Sequence, residues 1–222
     1  MKVLITGVDG GLGSALSTRY MDDGFEVYGI LGDRYESGAW EVKSQIESMP
    51  CPDILINCHG TNRLAVIGGG PDLSIYRIMD INVNMMYLMV DHLKRVYDKP
   101  IRVLNIASIA YRVPMTTTAL YCASKAAVVQ LTKVMARELA PHGWVINCLS
   151  SGKMDNTEMS SVTDEQVSSI RGWSKQEADA HALSTIPMGR FTNTAEVCDA
   201  VRQILELPSY INGACIDMAG GI

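Results

Sequence analysis

Tyr121 and Lys125 are four residues apart in the stretch Tyr121-Cys-Ala-Ser-Lys125, so on a helix both side chains project from one face and can meet. That pairing has a chemical use. A phenol has a pKa near 10, and bringing it about 3 units towards neutrality takes roughly 4 kcal/mol of preferential stabilisation of the phenolate. A neighbouring ammonium can supply part of that. On spacing alone, an ordinary cation and aromatic contact on a helix is the commoner reading. Ser108, thirteen residues upstream of Tyr121, adds a hydroxyl that can hold an oxygen while a proton moves.

Elements must position these groups. The apolar run Ile101 to Ile106 reads as a buried strand ending just before Ser108, and a loop with Pro114 and three threonines leads into a helix from Ala119 to Leu139. At the start of the chain, Lys2-Val-Leu-Ile-Thr6 reads as a strand, Gly7 to Gly13 as a glycine-rich turn, and Leu12, Leu16 and Tyr20 as the inner face of a helix. Glycines serve where backbone must approach a pyrophosphate and where the helix must pack close to the strand, and the helix N-terminus attracts the anion. Further strands are expected at Phe25 to Leu31, Asp53 to Asn57, Trp144 to Leu149 and Asn212 to Asp217. Helices are expected at about Gly38 to Met49, with Val42, Ile46 and Met49 inward, at Ser74 to Tyr97, and at Thr194 to Leu207. The alternation predicts one three-layer α/β domain over 1–222, a doubly wound, Rossmann-like parallel sheet of six or seven strands.

Composition narrows the function. The 222 residues are 47% hydrophobic, enough for one sizeable core, and no Pro- or Ser-rich linker divides them. A net charge of −5 argues against a nucleic-acid groove or a polybasic membrane patch. Met1 leads directly into a strand-like segment with no targeting signal, and no apolar run approaches the length of a membrane span, so a cytoplasmic protein is expected. Six cysteines sit mostly in apolar text without C-x-x-C spacing, and the four histidines are scattered. Buried free thiols and no metal site are expected.

Ser108 followed by Tyr121-x-x-x-Lys125 resembles the active site of the short-chain dehydrogenase/reductase family, and Thr6-Gly7 with Gly11 and Gly13 resembles its Thr-Gly-x-x-x-Gly-x-Gly turn. The resemblance implies Tyr121 as acid/base, Ser108 on the substrate oxygen, and Lys125 on ribose and on the tyrosine pKa. Asn82, 25 residues after Asn57, then distorts its helix and relays protons. It implies NAD or NADP held by Gly7, Gly10, Gly11, Leu12, Gly13, Asn57, Gly60, Lys125 and Thr157, the threonine at the nicotinamide amide. Asp53 to Gly60 resembles the family's Asn-Asn-Ala-Gly turn with Cys58 and His59 in the middle, and His59 reads as structural rather than as a base. Ser151 stands where the family has proline.

Twenty-four residues after Gly7, where an acid would bind the ribose 2′-hydroxyl, the chain has Leu31, then Asp33 and Arg34. Asp33 is a candidate for the adenine and Arg34 for a 2′-phosphate, which tips the expectation slightly to NADP. Only 25 residues separate Leu31 from Asn57, too few for two helices and a full strand, so the third strand should be short or absent. The polar stretch Lys153 to Ile186 reads as a lid. Methionines 79, 85, 86 and 89 read as core or subunit interface, and with the family resemblance they suggest a homodimer or homotetramer. The expected function is hydride transfer between NAD(P)(H) and a carbonyl/alcohol pair on a small-molecule substrate. The alternative is a dinucleotide-binding regulatory or scaffold protein of the same fold.

Overall fold

The computed structural model describes residues 1–32, 39–69 and 76–222. Six parallel strands lie in the order β2-β1-β3-β4-β5-β6. They are β1 (Lys2–Thr6), β2 (Glu26–Ile30), β3 (Ile54–Asn57), β4 (Arg102–Ile106), β5 (Val145–Ser151) and β6 (Cys215–Met218). No strand lies between β2 and β3 among the described residues, in keeping with the short distance from Leu31 to Asn57. Asp33 and Arg34 lie outside the described residues, as does Ser74, the expected start of the long helix.

Strand residues alternate between two apolar layers, which is why the strands read as nearly continuous hydrophobic runs. Val3 and Ile5 pack towards α1 (Gly11–Asp22) and α8 (Thr194–Glu206), against Leu12, Leu16, Val197 and Val201. Leu4 and Leu55 pack on the other face towards α2 (Ala39–Ser48), α4 (Met85–Val96) and α5 (Ala119–Leu139), against Ile46, Met86, Met89 and Val129. Met85, Met86 and Met89 are therefore core, and Met79 is half-buried. Of the six free cysteines, Cys148 and Cys198 are buried; the other four are only partly so.

β1 lies between β2 and β3, so the chain winds outwards in both directions from it. The connections that follow β1 and β3 lead to opposite sides of the sheet, to β2 and to β4, and such a switch point opens a crevice for ligands at the carboxyl ends of the strands. The expected long helix is broken: α3 (Tyr76–Met79) passes into a π segment, Asp80–Asn84, before α4 begins. After β5 come α6 (Glu158–Arg171) and α7 (Lys175–Ser184), the predicted insert.

Candidate active site

The glycine turn is built so that side chains cannot enter it. Gly7 has φ +70°, and a β-carbon there would stand 2.9 Å from the Cα of His59. At Gly13 it would stand 2.0 Å from the carbonyl oxygen of Gly7, so helix and turn touch at backbone distance. α1 starts at Gly11 with Gly10 as its cap, without a side-chain cap or an acid in its first turn. Its first N–H groups can meet an anion, and the cradle fits a dinucleotide pyrophosphate.

Thr6 fixes the neighbouring turn after β3. Its Oγ1 accepts from the N–H groups of Cys58 at 3.1 Å and His59 at 3.3 Å, and faces Nδ1 of His59 at 2.5 Å. Burial, with Lys125 second, lowers His59 to about 3. The ring is neutral at physiological pH, held by Thr6, and borders the cleft. Asn57 is buried, and its Nδ2 donates to Asn105 Oδ1 at 2.8 Å, while Asn105 Nδ2 donates to Thr132 Oγ1 at 2.9 Å. Asn57 is absent from the cleft wall: it ties β3 to β4 and α5 behind it.

Asn82 lies in the π segment and is buried. Its Nδ2 donates to Thr61 O at 3.0 Å and Ser124 Oγ at 2.9 Å, and its Oδ1 accepts from Thr61 N at 2.8 Å. Both amide hydrogens are spent on protein, so the side chain positions its neighbours, and the expected helix distortion is present. A β-carbon at Gly60 would lie 3.5 Å from both Asn82 Oδ1 and Lys125 Nζ, so this turn passes within van der Waals reach of both side chains.

Ser108 follows β4 in extended conformation, and its Oγ accepts from Ala110 N at 3.3 Å. α5 presents Tyr121 and Lys125 one turn apart, and Ser108 is a hydrogen-bonding neighbour of the Tyr121 hydroxyl that favours its ionised form. Lys125 Nζ donates to Ile106 O at 3.0 Å and stands 5.7 Å from the Tyr121 ring centroid. Burial brings Lys125 down to about 8. It also raises Tyr121, and the Ser108 hydrogen bond offsets only part of that. This differs from the sequence expectation of a tyrosine lowered by Lys125: the phenol is desolvated, and the ammonium faces the ring and a carbonyl.

These groups border one cleft of about 600 Å³ with the glycine turn at one end. Gly7, Gly10, Gly11, Leu12 and Gly13 line it, as do Gly60, Ser108, Tyr121, Lys125, Ser151 and Thr157. Asn82 supports it from behind. Thr157 sits beside the glycine turn, its β-carbon 3.4 Å from where a Gly11 side chain would begin. Its hydroxyl caps α6, accepting from Ser160 N at 3.2 Å. Ile78, Ile109, Met115 and Val162 line the cleft as well, together with Arg63, Arg77 and Glu158.

Contacts that sequence reading missed hold the insert in place. Gln166 Oε1 on α6 accepts from Leu64 N at 2.8 Å, and Arg171 donates to Thr116 Oγ1 at 2.5 Å. Lys153 pins the insert through Asp164 at 2.6 Å and Asp179 at 3.2 Å. No local pattern announces such long-range pairs. No group of three or more potential metal ligands occurs among the described residues. No helix among them is long and apolar enough to cross a membrane.

A family model described as Enoyl-(Acyl carrier protein) reductase matches residues 37–222. Galactitol 2-dehydrogenase of Agrobacterium fabrum is 31% identical over 159 residues, 70% of this chain and 62% of that enzyme, so the match spans less than two thirds of the relative. The 3-oxoacyl-[acyl-carrier-protein] reductase of Haemophilus influenzae is 26% identical over 99% of this chain and 96% of its own length. Among solved structures, a short chain dehydrogenase family protein from Francisella tularensis matches with TM-score 0.87 at 19% identity, covering 99% of this chain and 97% of its own. Actinorhodin polyketide ketoreductase with NADPH matches at 0.85 and 21% identity (99% and 95% covered), and NAD+-bound xylitol dehydrogenase at 0.86 and 22% (99% and 98%). At such identities the structures speak for the fold.

Proposed function

Because the chain belongs to the short-chain dehydrogenase/reductase family and is an NAD(P)-dependent oxidoreductase, we propose that Tyr121, Ser108 and Lys125 carry its reaction on a carbonyl/alcohol pair. When bound, the nicotinamide cofactor supplies or takes up the hydride. Ser108 holds the substrate oxygen as negative charge grows on it, and the Tyr121 hydroxyl gives that oxygen its proton; in oxidation the phenolate takes the proton back. Lys125, which lines the same cleft, holds the ribose. Asn82 holds Thr61 and Ser124, and so the two walls around Tyr121. The observation that carries the reading is that Ser108, Tyr121 and Lys125 line one cleft with the glycine turn, with Lys125 Nζ 5.7 Å from the Tyr121 ring centroid.

The glycine turn takes the pyrophosphate, with Gly10, Gly11 and Leu12 offering backbone at the start of α1 and Thr157 covering it. The sequence leans to NADP through Arg34, a residue outside the described ones, and Asp9 in the glycine turn weighs on the other side. Self-association through α4 and α5 fits the exposed apolar groups there, Leu88 and Val96 on α4 and Val134 on α5. A panel of carbonyls and alcohols assayed with NADH, NADPH and their oxidised forms tests the reading. Turnover of a carbonyl supports it, and nucleotide binding without turnover of any of them supports the scaffold alternative.

A further inference from the structure

Asp9 stands two residues after Gly7 in the glycine turn. The turn is clamped on the carboxyl end of β2: Gly7 N and Val8 N both donate to Ile30 O, at 2.7 and 3.3 Å. Gly29 is bare where Val8 lies on the strand, and a β-carbon there would come within 2.8 Å of the valine. One step further, Asp9 Oδ1 accepts from Gly32 N at 2.6 Å. The turn's carboxylate is thereby fastened to the backbone just beyond β2.

In a doubly wound sheet that strand end is where an acid meets the ribose 2′-hydroxyl. Leu31 leaves the place without one in β2 itself. We propose that Asp9 fills it from the glycine turn, as a specificity-determining residue that accepts the 2′-hydroxyl of NAD(H) and repels the 2′-phosphate of NADP(H). This rests on the oxidoreductase reading and deepens it. The geometry suits the task. Asp9 is exposed and borders the cleft together with Gly32, which has no side chain to cover it. The hydrogen bond from Gly32 occupies one lone pair of Oδ1, so Oδ2 can still accept a hydroxyl. A phosphate at the same place would set two negative charges against a third fixed by the backbone. Among the described residues bordering this end of the cleft (Gly7, Asp9, Gly10, Gly11 and Gly32), Asp9 is the charged one.

The test is equilibrium binding of NADH and NADPH to the wild type and to Asp9→Asn, by titration calorimetry without substrate. Asparagine keeps an acceptor for Gly32 N and removes the charge. The wild type should bind NADH at least about 10-fold more tightly, and Asp9→Asn should shrink that ratio about 10-fold or more, chiefly by tighter NADPH binding. Should the variant not fold, the wild type's preference for ADP over 2′,5′-ADP decides the matter without it. A wild type that favours NADPH, or a ratio unmoved in Asp9→Asn, overturns the role of Asp9 while leaving the oxidoreductase reading intact. A wild type that binds neither nucleotide overturns both.

Discussion

Asn82 donates to Ser124 Oγ at 2.9 Å, and through it the π segment is fastened to the turn of α5 between Tyr121 and Lys125. Ser124 in turn donates to Tyr121 O at 2.8 Å. Both residues are buried, so a lone partner left behind is costly. Ser124→Ala and Asn82→Ala should therefore be non-additive in urea unfolding, with a coupling of about 1 kcal/mol. Additivity within error would mean that the π segment and α5 are held together by other contacts.

Gly13→Ala should abolish nucleotide binding, because a β-carbon 2.0 Å from Gly7 O forces helix and turn apart. Titration with NADH and NADPH measures this. Affinity unchanged by the substitution would put the pyrophosphate elsewhere.

His59 sets a pH dependence of stability. The unfolded chain takes up its proton near 6.5 and the folded protein only near 3. Between those values the unfolded state binds more protons, so stability falls as pH drops, by about 1.4 kcal/mol per unit for this group. His59→Gln removes the titration, and its melting temperature should fall less than the wild type's between pH 6.5 and 4. Parallel losses in both proteins would show that the ring is not held neutral.

Much of this was legible in the sequence, and what was legible follows from local rules. Lys2–Thr6, Ala119–Leu139 and the turn between Gly7 and Gly13 are set by periodicity and by glycines that nothing else could replace. The absence of a strand between β2 and β3 among the described residues showed as a shortage of residues. The rest depends on contacts across the chain. The sequence did not show that Asn57 would turn to Asn105, because strand pairing decides that. It could not order the forces on Tyr121 either, since desolvation depends on what covers the ring. Asp9 was overlooked because its partner, Gly32, is 23 residues away. The acid was in view all along within the turn.

Val134 on α5 is exposed in the single chain, as are Ala123 and Ala126 on the same helix, so this face can pack against a second copy. Val134→Glu should shift sedimentation from a dimer or tetramer towards the 24.2 kDa monomer. A wild type that sediments only as a monomer at micromolar concentration would remove that part of the account.

The central claim is that Tyr121 moves the proton, and Tyr121→Phe tests it most directly because it keeps the ring and removes only the hydroxyl. With its pKa raised by burial, Tyr121 is protonated at neutral pH and suited to donating in reduction; oxidation needs the phenolate and should quicken as pH rises. In Tyr121→Phe, nucleotide affinity should stay near that of the wild type while turnover of a carbonyl substrate falls about 100-fold or more. Turnover at the wild-type rate would contradict the account, leaving Ser108, Tyr121 and Lys125 a structural cluster.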